Sequence, residues 1–255
     1  MILVICPVYN EYDKILDFIK SILGYVSKHV HFLFMEDNSD DLTKKICLFV
    51  NNSLPLSLKD KLLFIFNEFN LGYGENLFKG FYFALNRGYE YVLTIDCDFQ
   101  HLPSYIPMFL NLSKKYDFIT GSRYSFNSLT LSKKNFFRYL INKKMVDLIR
   151  IFYGKQISDF FCGFRLYKRN LLEYIYVNLL NYKLLNNVKF SYDFPIYLWV
   201  DILNFVDVIK EIPIPFIFFE ERNFKGSNSE LLVNHYERAR IYMKIFIEYY
   251  NKRRR

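Results

Sequence analysis

The sequence predicts an α/β protein whose mostly parallel central sheet is flanked by helices, and two patterns carry that expectation. Through the first half of the chain, short continuous apolar runs alternate with segments of helical period. Strands buried on both faces read as such runs, and the helices between them cover the sheet. Where the runs end, acidic and amide residues cluster, which places a polar site at the carboxyl edge of a parallel sheet. At 255 residues the chain is long enough for one large domain with a sizeable core.

Ile2–Cys6 is the first apolar run. Tyr12–Leu23 follows with Ile15, Phe18, Ile19 and Ile22 at helical spacing and stops at Gly24. His31–Met35 reads as a strand and Leu42–Val50 as a helix. Lys61–Asn67 is the third strand, and Gly74–Arg87 a helix ended by Gly88. Tyr91–Ile95 and Asp117–Gly121 are two further strands, with the helix Pro103–Lys115 between them. Alternation of this kind favours βαβ crossovers and parallel pairing. The second half is less regular. Lys134–Tyr153 is a long amphipathic helix carrying Arg138, Lys143, Lys144 and Arg150, and Arg169–Leu180 is another helix. Glu211–Phe219 is a strand that Pro213 and Pro215 confine to a sheet edge. Leu231–Tyr250 is helical and runs into Lys252-Arg253-Arg254-Arg255.

Composition narrows the function classes. Apolar residues make up 52% and aromatics 20% of the chain, which excludes a disordered protein. A net charge of +8 suits an anionic partner: a nucleotide, a lipid phosphate, a membrane surface or a nucleic acid. The four cysteines are scattered with no C-x-x-C pair, so free thiols and a reducing, cytoplasmic setting are expected. The amino terminus runs straight into a strand without a basic leader, and no apolar run approaches the roughly 18 residues of a spanning helix.

Four strand ends carry polar groups. Pro7-Val8-Tyr9-Asn10-Glu11 follows the first strand and Glu36-Asp37-Asn38-Ser39-Asp40-Asp41-Leu42-Thr43 the second. Asp96-Cys97-Asp98-Phe99-Gln100-His101 follows the fourth, and Gly121-Ser122-Arg123-Tyr124 closes the fifth. Asp96 and Asp98 lie two residues apart where a strand stops being extended, so both carboxylates can turn to one point in the crevice. Mg²⁺ or Mn²⁺ prefers such hard oxygens and keeps room for phosphate, so the pair suits a metal-bound diphosphate. A strand that ends in a polar turn is the plainer alternative. Tyr9 and Glu11 also read as the start of a helix with Asn10 as its N-cap, and Asp37 as a turn-forming residue. Asp40 and Asp41 fit capping of the next helix. His101 is a further polar candidate at a helix start, where histidine is more often structural.

Taken in order, these motifs resemble family 2 glycosyltransferases of the GT-A fold, most closely the dolichyl-phosphate mannosyltransferase (polyprenyl-phosphate mannose synthase) branch. Asn70-Leu71-Gly72, Gly163-Phe164-Arg165-Leu166-Tyr167 and Glu211-Ile212-Pro213-Ile214-Pro215-Phe216 add to the resemblance, which spans essentially residues 1–230. It implies a Rossmann-like GT-A catalytic domain over 1–230, with 231–255 as a C-terminal amphipathic basic helix and tail. It implies that Pro7, Tyr9, Glu11 and Asp37 hold the nucleoside of a nucleotide-sugar donor. Asp96, Asp98 and Gln100 would hold Mg²⁺ or Mn²⁺ and through it the donor diphosphate, with Cys97 contributing backbone while its side chain packs. Arg123 would grip phosphate with its planar fork. Arg222 and Lys225 would close on the diphosphate from a C-terminal loop, although Lys225-Gly226-Ser227 departs from the family's spacing of Gly, Ser and Lys. Asp98 and Arg123 would bear the catalytic load. Arg138 and Lys143 would meet the acceptor phosphate, where Asn142-Lys143-Lys144 stands for the family's Ser-Arg-Gly.

The implied reaction moves a sugar, mannose from GDP-mannose, to polyprenyl or dolichyl phosphate by inverting displacement. A phosphate monoester with a second pKa near roughly 6 is already a dianion at neutral pH and needs no general base. The alternative is another nucleotide sugar and a saccharide hydroxyl acceptor, with Asp159 or Asp193 as the base. The helices 134–153 and 231–250 look interfacial. The protein is therefore expected at the cytoplasmic face of a membrane, peripheral or recruited by a small membrane-anchoring partner subunit. A nucleotidyltransferase would need a Gly-rich triphosphate loop, which is missing. Nucleic-acid binding lacks any recognised module, and a non-catalytic subunit with a decayed site conflicts with the intact Asp-x-Asp-x-Gln.

Overall fold

Among the described residues seven strands form one sheet in the order β3-β2-β1-β4-β6-β5-β7. They are β1 (Ile2–Val8), β2 (Val30–Glu36), β3 (Leu62–Phe66), β4 (Tyr91–Thr94), β5 (Phe118–Ser122), β6 (Arg165–Lys168) and β7 (Lys210–Pro213). The computed structural model describes residues 1–129, 136–215, 217 and 228–254. All pairings are parallel except those of β6, which runs antiparallel between β4 and β5. Among the described residues eight α-helices accompany the strands: α1 (Ile15–Ile22), α2 (Thr43–Ser53), α3 (Tyr73–Asn86), α4 (Ile106–Leu112), α5 (Phe136–Tyr153), α6 (Arg169–Asn186), α7 (Phe194–Phe205) and α8 (Asn228–Arg253).

The central strands read as continuous apolar runs because both of their faces are covered. Val4, Cys6, Phe32 and Phe34 pack with Phe18 and Ile22 of α1 and Phe109 of α4. The alternate residues Leu3, Ile5, Leu33 and Met35 meet Phe81 and Ala84 of α3 in a second core that extends to Leu172 of α6 and Trp199 of α7. Period-two alternation along each strand thus feeds two hydrophobic layers.

The sequence reading is corrected at four places. β6 and α7 were not expected. α1 begins at Ile15 rather than Tyr12, because Asn10 is not its cap: it takes a positive φ of 56° and its Oδ1 accepts from Asp40 N at 2.9 Å. The edge strand holds its edge position, next to β5, but stops at Pro213. The apolar face of the last helix packs on the protein itself. Phe246 and Tyr249 are fully buried, and Tyr250 lies 4.8 Å from the Phe152 ring of α5. Below them Asp201 of α7, with no exposed surface, accepts from Tyr249 Oη at 2.7 Å and Arg253 Nε at 2.8 Å. Among the described residues no helix is long and apolar enough to cross a membrane.

Candidate active site

The carboxyl ends of β1, β2, β4 and β5 open on a cleft of about 480 Å³. Its lining brings together Pro7, Tyr9, Glu11, Asp37, Asp96, Cys97, Asp98, Gln100, Arg123 and Arg138. Lys143 does not reach it. On α5, Asn142, Met145 and Ile149 form the buried stripe, Arg138 lies one turn before Asn142 on that side, and Lys143 points to solvent. Arg222 and Lys225 lie outside the described residues.

Both carboxylate oxygens of Asp37 are taken by the segment 67–72. Its Oδ1 accepts from Asn67 Nδ2 at 2.8 Å and Leu71 N at 2.9 Å, and its Oδ2 from Gly72 N at 2.8 Å. Gly72 takes a φ of 86°, a conformation that favours glycine, so Asn70-Leu71-Gly72 is a turn pinned to the end of β2. Tyr9 donates to Asp40 Oδ2 at 2.8 Å, and Asp41 Oδ1 accepts from Thr43 N at 2.8 Å where α2 begins.

After β4 the chain makes a tight turn, with Phe99 at a φ of 62°. Asp98 Oδ1 accepts from Gln100 N at 2.9 Å and its Oδ2 from Gln100 Nε2 at 2.6 Å. Cys97 is turned into the core, as strand alternation requires. Asp96 sits against Gly163: a Cβ on that glycine would come within 2.7 Å of Asp96 Oδ2. Thr94 Oγ1 fixes the approach by donating to Gly163 O at 2.6 Å.

His101 completes this wall and is the residue that local sequence pattern undervalued. It is buried, with Nδ1 3.2 Å from Asp96 Oδ2, at ion-pair distance but without the alignment of a hydrogen bond. Its Nε2 lies 3.7 Å from Cys162 Sγ. Burial works against the imidazolium, but Cys162 and Asp96 outweigh it and push the pKa up to about 10. The two aspartates diverge. Burial raises the pKa of Asp96, yet His101 and the charges of Arg123 and Arg165 bring the net shift below the ordinary value. Asp98 is pushed up by burial and then by the Asp96 charge.

Opposite stands Arg123, whose Nε and Nη2 reach Oδ2 and Oδ1 of the fully buried Asp159 at 2.7 and 3.0 Å. Asp159 therefore orients the arginine and is not placed as a base; neither it nor Asp193 lines the cleft. Asp193 instead accepts from Ser191 N at 3.0 Å just before α7. Asn142 gives Nδ2 to Ser158 O at 2.9 Å and takes Phe160 N on Oδ1 at 2.8 Å, so both its amide atoms shape the loop beneath Arg123. Arg138 has its pKa lowered by burial and then by the charge of Arg123, with Arg238 of α8 adding to it, which marks this wall as electropositive. Phe161, Tyr192, Pro195 and Leu198 make the remaining side apolar.

The donor set fits a hard divalent cation. Among the described residues no three His, Cys, Asp or Glu side chains form a complete cage. Asp96, Asp98 and the Gln100 amide oxygen are all oxygen donors, an incomplete set of the kind Mg²⁺ or Mn²⁺ fills with substrate phosphates.

Comparison with known proteins places this geometry. The profile of glycosyl transferase family 2 matches residues 3–176. The chain is 30% identical over 231 residues to polyprenol monophosphomannose synthase of Mycolicibacterium smegmatis, covering 90% of this chain and 82% of that protein. It is 31% identical over 176 residues to an uncharacterised protein of Methanocaldococcus jannaschii, covering 66% of this chain and 72% of the relative. In three dimensions it is similar to glucosyl-3-phosphoglycerate synthase of Mycobacterium tuberculosis, solved with Mn²⁺, UDP-glucose and glycerol 3-phosphate. That match has a TM-score of 0.62 at 16% identity, covering 95% of this chain and 78% of the other. The sheet order, the strand-end cleft and these matches together mean that the chain belongs to glycosyltransferase family 2 and has the GT-A fold.

Proposed function

We propose that the chain transfers mannose from GDP-mannose to a polyprenyl phosphate such as dolichyl phosphate, working peripherally at the cytoplasmic face of a membrane. One observation carries the acceptor class. Among the described residues the carboxylates lining the cleft are Glu11, Asp37, Asp96 and Asp98, all on the donor side, while the opposite wall carries Arg123 and Arg138. A hydroxyl acceptor needs a base there; a phosphate dianion needs cations. The apolar side formed by Phe161, Tyr192, Pro195 and Leu198 suits the first isoprene units of such an acceptor. The resemblance to polyprenol monophosphomannose synthase supports a mannosyl group and a polyprenyl phosphate as the joined partners.

In this reading Pro7, Tyr9 and Glu11 face the nucleoside and Asp37 holds the turn beside it. Asp96, Asp98 and Gln100 would hold Mg²⁺ or Mn²⁺, which when bound neutralises charge developing on the departing diphosphate. Arg123 gives two of its five N–H groups to Asp159 and keeps three in a fixed plane for phosphate oxygens. Arg138 steers the acceptor dianion to the opposite face of the anomeric carbon. The phosphate oxygen then forms the new bond as the bond to the nucleoside diphosphate breaks, with inversion. A small membrane-anchoring subunit could serve the same peripheral placement.

Thermal-shift measurements with GDP-mannose, UDP-glucose and UDP-GlcNAc, each with Mn²⁺ or EDTA, test the donor assignment. GDP-mannose with Mn²⁺ is expected to raise the midpoint, and EDTA to abolish the rise. Stabilisation by a uridine sugar and none by GDP-mannose would contradict it.

A further inference from the structure

The turn 125–128 and the start of α5 present an apolar and basic face beside the mouth of the cleft. The turn is closed: Ser128 N donates to Ser125 O at 3.0 Å, and Ser128 Oγ donates to Ser122 O at 2.6 Å. Phe126, at the second position of this turn, is 103% exposed, and Leu129 just after it is 63% exposed. An ordered turn thus holds in water a ring of the kind that buries about 150–250 Å² when covered. The Tyr124 and Tyr139 rings, 5.6 Å apart, tie the turn to α5. The exposed positions of α5 then run Tyr139, Leu140, Lys143 and Lys144, one stripe at helical spacing that continues to Ile151. Arg123, which lines the cleft, precedes the turn by two residues.

We propose that this face docks on an anionic lipid bilayer, with Phe126 in the boundary between headgroups and acyl chains and Lys143 and Lys144 over lipid phosphates. Charge complementarity selects the occupant: Lys143 and Lys144 are exposed on the same stripe of α5 as Tyr139 and Leu140, so the face is apolar and basic together. The purpose of docking rests on the lipid-phosphate reading, since the same segment leads to Arg123; the observations do not.

Sedimentation with phosphatidylcholine vesicles, with and without phosphatidylglycerol, tests the proposal on the full chain. The vesicles contain neither donor nor acceptor, so loss of docking and loss of sugar transfer are read separately. The wild type is expected to sediment with the anionic vesicles, less so at high salt. The Phe126→Ser, Lys144→Glu double variant should bind them about tenfold or more weakly, because apolar insertion and near-surface charge both contribute. Its melting curve and its transfer to a water-soluble short acceptor should not change. Phe126→Trp gives an independent reading: its emission should shift to the blue with anionic vesicles and not with neutral ones. Sedimentation of the double variant equal to wild type, an unshifted Phe126→Trp spectrum, or a wild type left in the supernatant at low salt would overturn the proposal and turn the face over to a protein partner.

Discussion

Arg123 and Asp159 form a buried fork in which the carboxylate takes the arginine's Nε, Nη2 and backbone N–H, at 2.7, 3.0 and 3.0 Å. Asp159 has no exposed surface, and Ser158 beside it is held by Glu211, which accepts from Ser158 N at 2.9 Å. The pair fixes the guanidinium of Arg123 in place at the cleft. Breaking one partner of a buried pair leaves the other charge uncompensated, so Asp159→Ala should cost about 3–5 kcal/mol in urea denaturation. Asp159→Asn should cost less, and Arg123→Lys, which keeps the charge but loses the fork, should lower turnover about 100-fold.

The same pair sets a pH limit on stability. Burial alone would raise the Asp159 pKa, but the charge and hydrogen bonds of Arg123 hold it below the ordinary carboxylate value. A depressed folded-state pKa contributes stability that is complete above the unfolded value, near about 3.9, and is lost as pH falls through the folded one. Thermal midpoints of wild type and Asp159→Asn should therefore run parallel from about pH 5 to 8 and converge only below about pH 4. Convergence at neutral pH would contradict the direction of the shift.

Asp98→Asn should reduce turnover at least roughly 100-fold while leaving the melting curve near wild type, as expected when one transition-state electrostatic contact is lost. Initial rates with added Mn²⁺ or Mg²⁺ and with EDTA check the assignment. Wild-type turnover in EDTA would remove the metal role from Asp96, Asp98 and Gln100.

Gly163 gives a test that leaves every charge in place. Its backbone needs no positive φ, but a Cβ would meet Asp96 Oδ2 at 2.7 Å and Tyr73 Oη at 3.2 Å. Gly163→Ala should fold and still lose about 100-fold in turnover, the order expected for an ångström of misplacement at a reacting centre. Comparable activity in the alanine variant would mean that the position of Asp96 is not critical.

The chain terminus is structural as well as basic. Arg253 gives Nε to Asp201 at 2.8 Å and Nη2 to Tyr174 Oη at 2.7 Å, tying α8 to α7 and α6. Arg253→Ala should cost about 2 kcal/mol, reduced from the cost of a fully buried pair because the arginine is partly exposed. Lys244, in an exposed pair with Glu248, should tolerate alanine within about 0.5 kcal/mol. Chemical denaturation separates the two.

What could be read from the sequence followed from locality. β1 to α4 showed because strands such as Ile2–Val8 are buried on both sides and announce themselves as apolar runs. β6 is only Arg165–Lys168, and its partners β4 and β5 are far away in sequence, so nothing local marks it. In α7 nine residues of twelve are buried, including Asp201, and no polar face reveals the helical period. The site divides the same way. Asp96, Asp98 and Arg123 sit at strand ends that a parallel sheet brings together, and their residue types are informative alone. The environment of His101 depends on Cys162, 61 residues on, and the role of Asp159 depends on Arg123, 36 residues earlier. Lys143 was misplaced for a reason that was readable: Asn142, Met145 and Ile149 set the buried side of α5, which includes Arg138 and excludes Lys143.

The nature of the nucleophile is the centre of this account, and one pair of substrates tests it. Purified protein, GDP-[¹⁴C]mannose and Mn²⁺ are incubated with a short polyprenyl monophosphate or with the matching free polyprenol, and label in the organic phase is counted. Because Arg123 and Arg138 line the proposed acceptor side and, among the described residues, no carboxylate does, label should enter the phosphate and not the alcohol. Equal transfer to both, or transfer to the alcohol alone, would contradict the account.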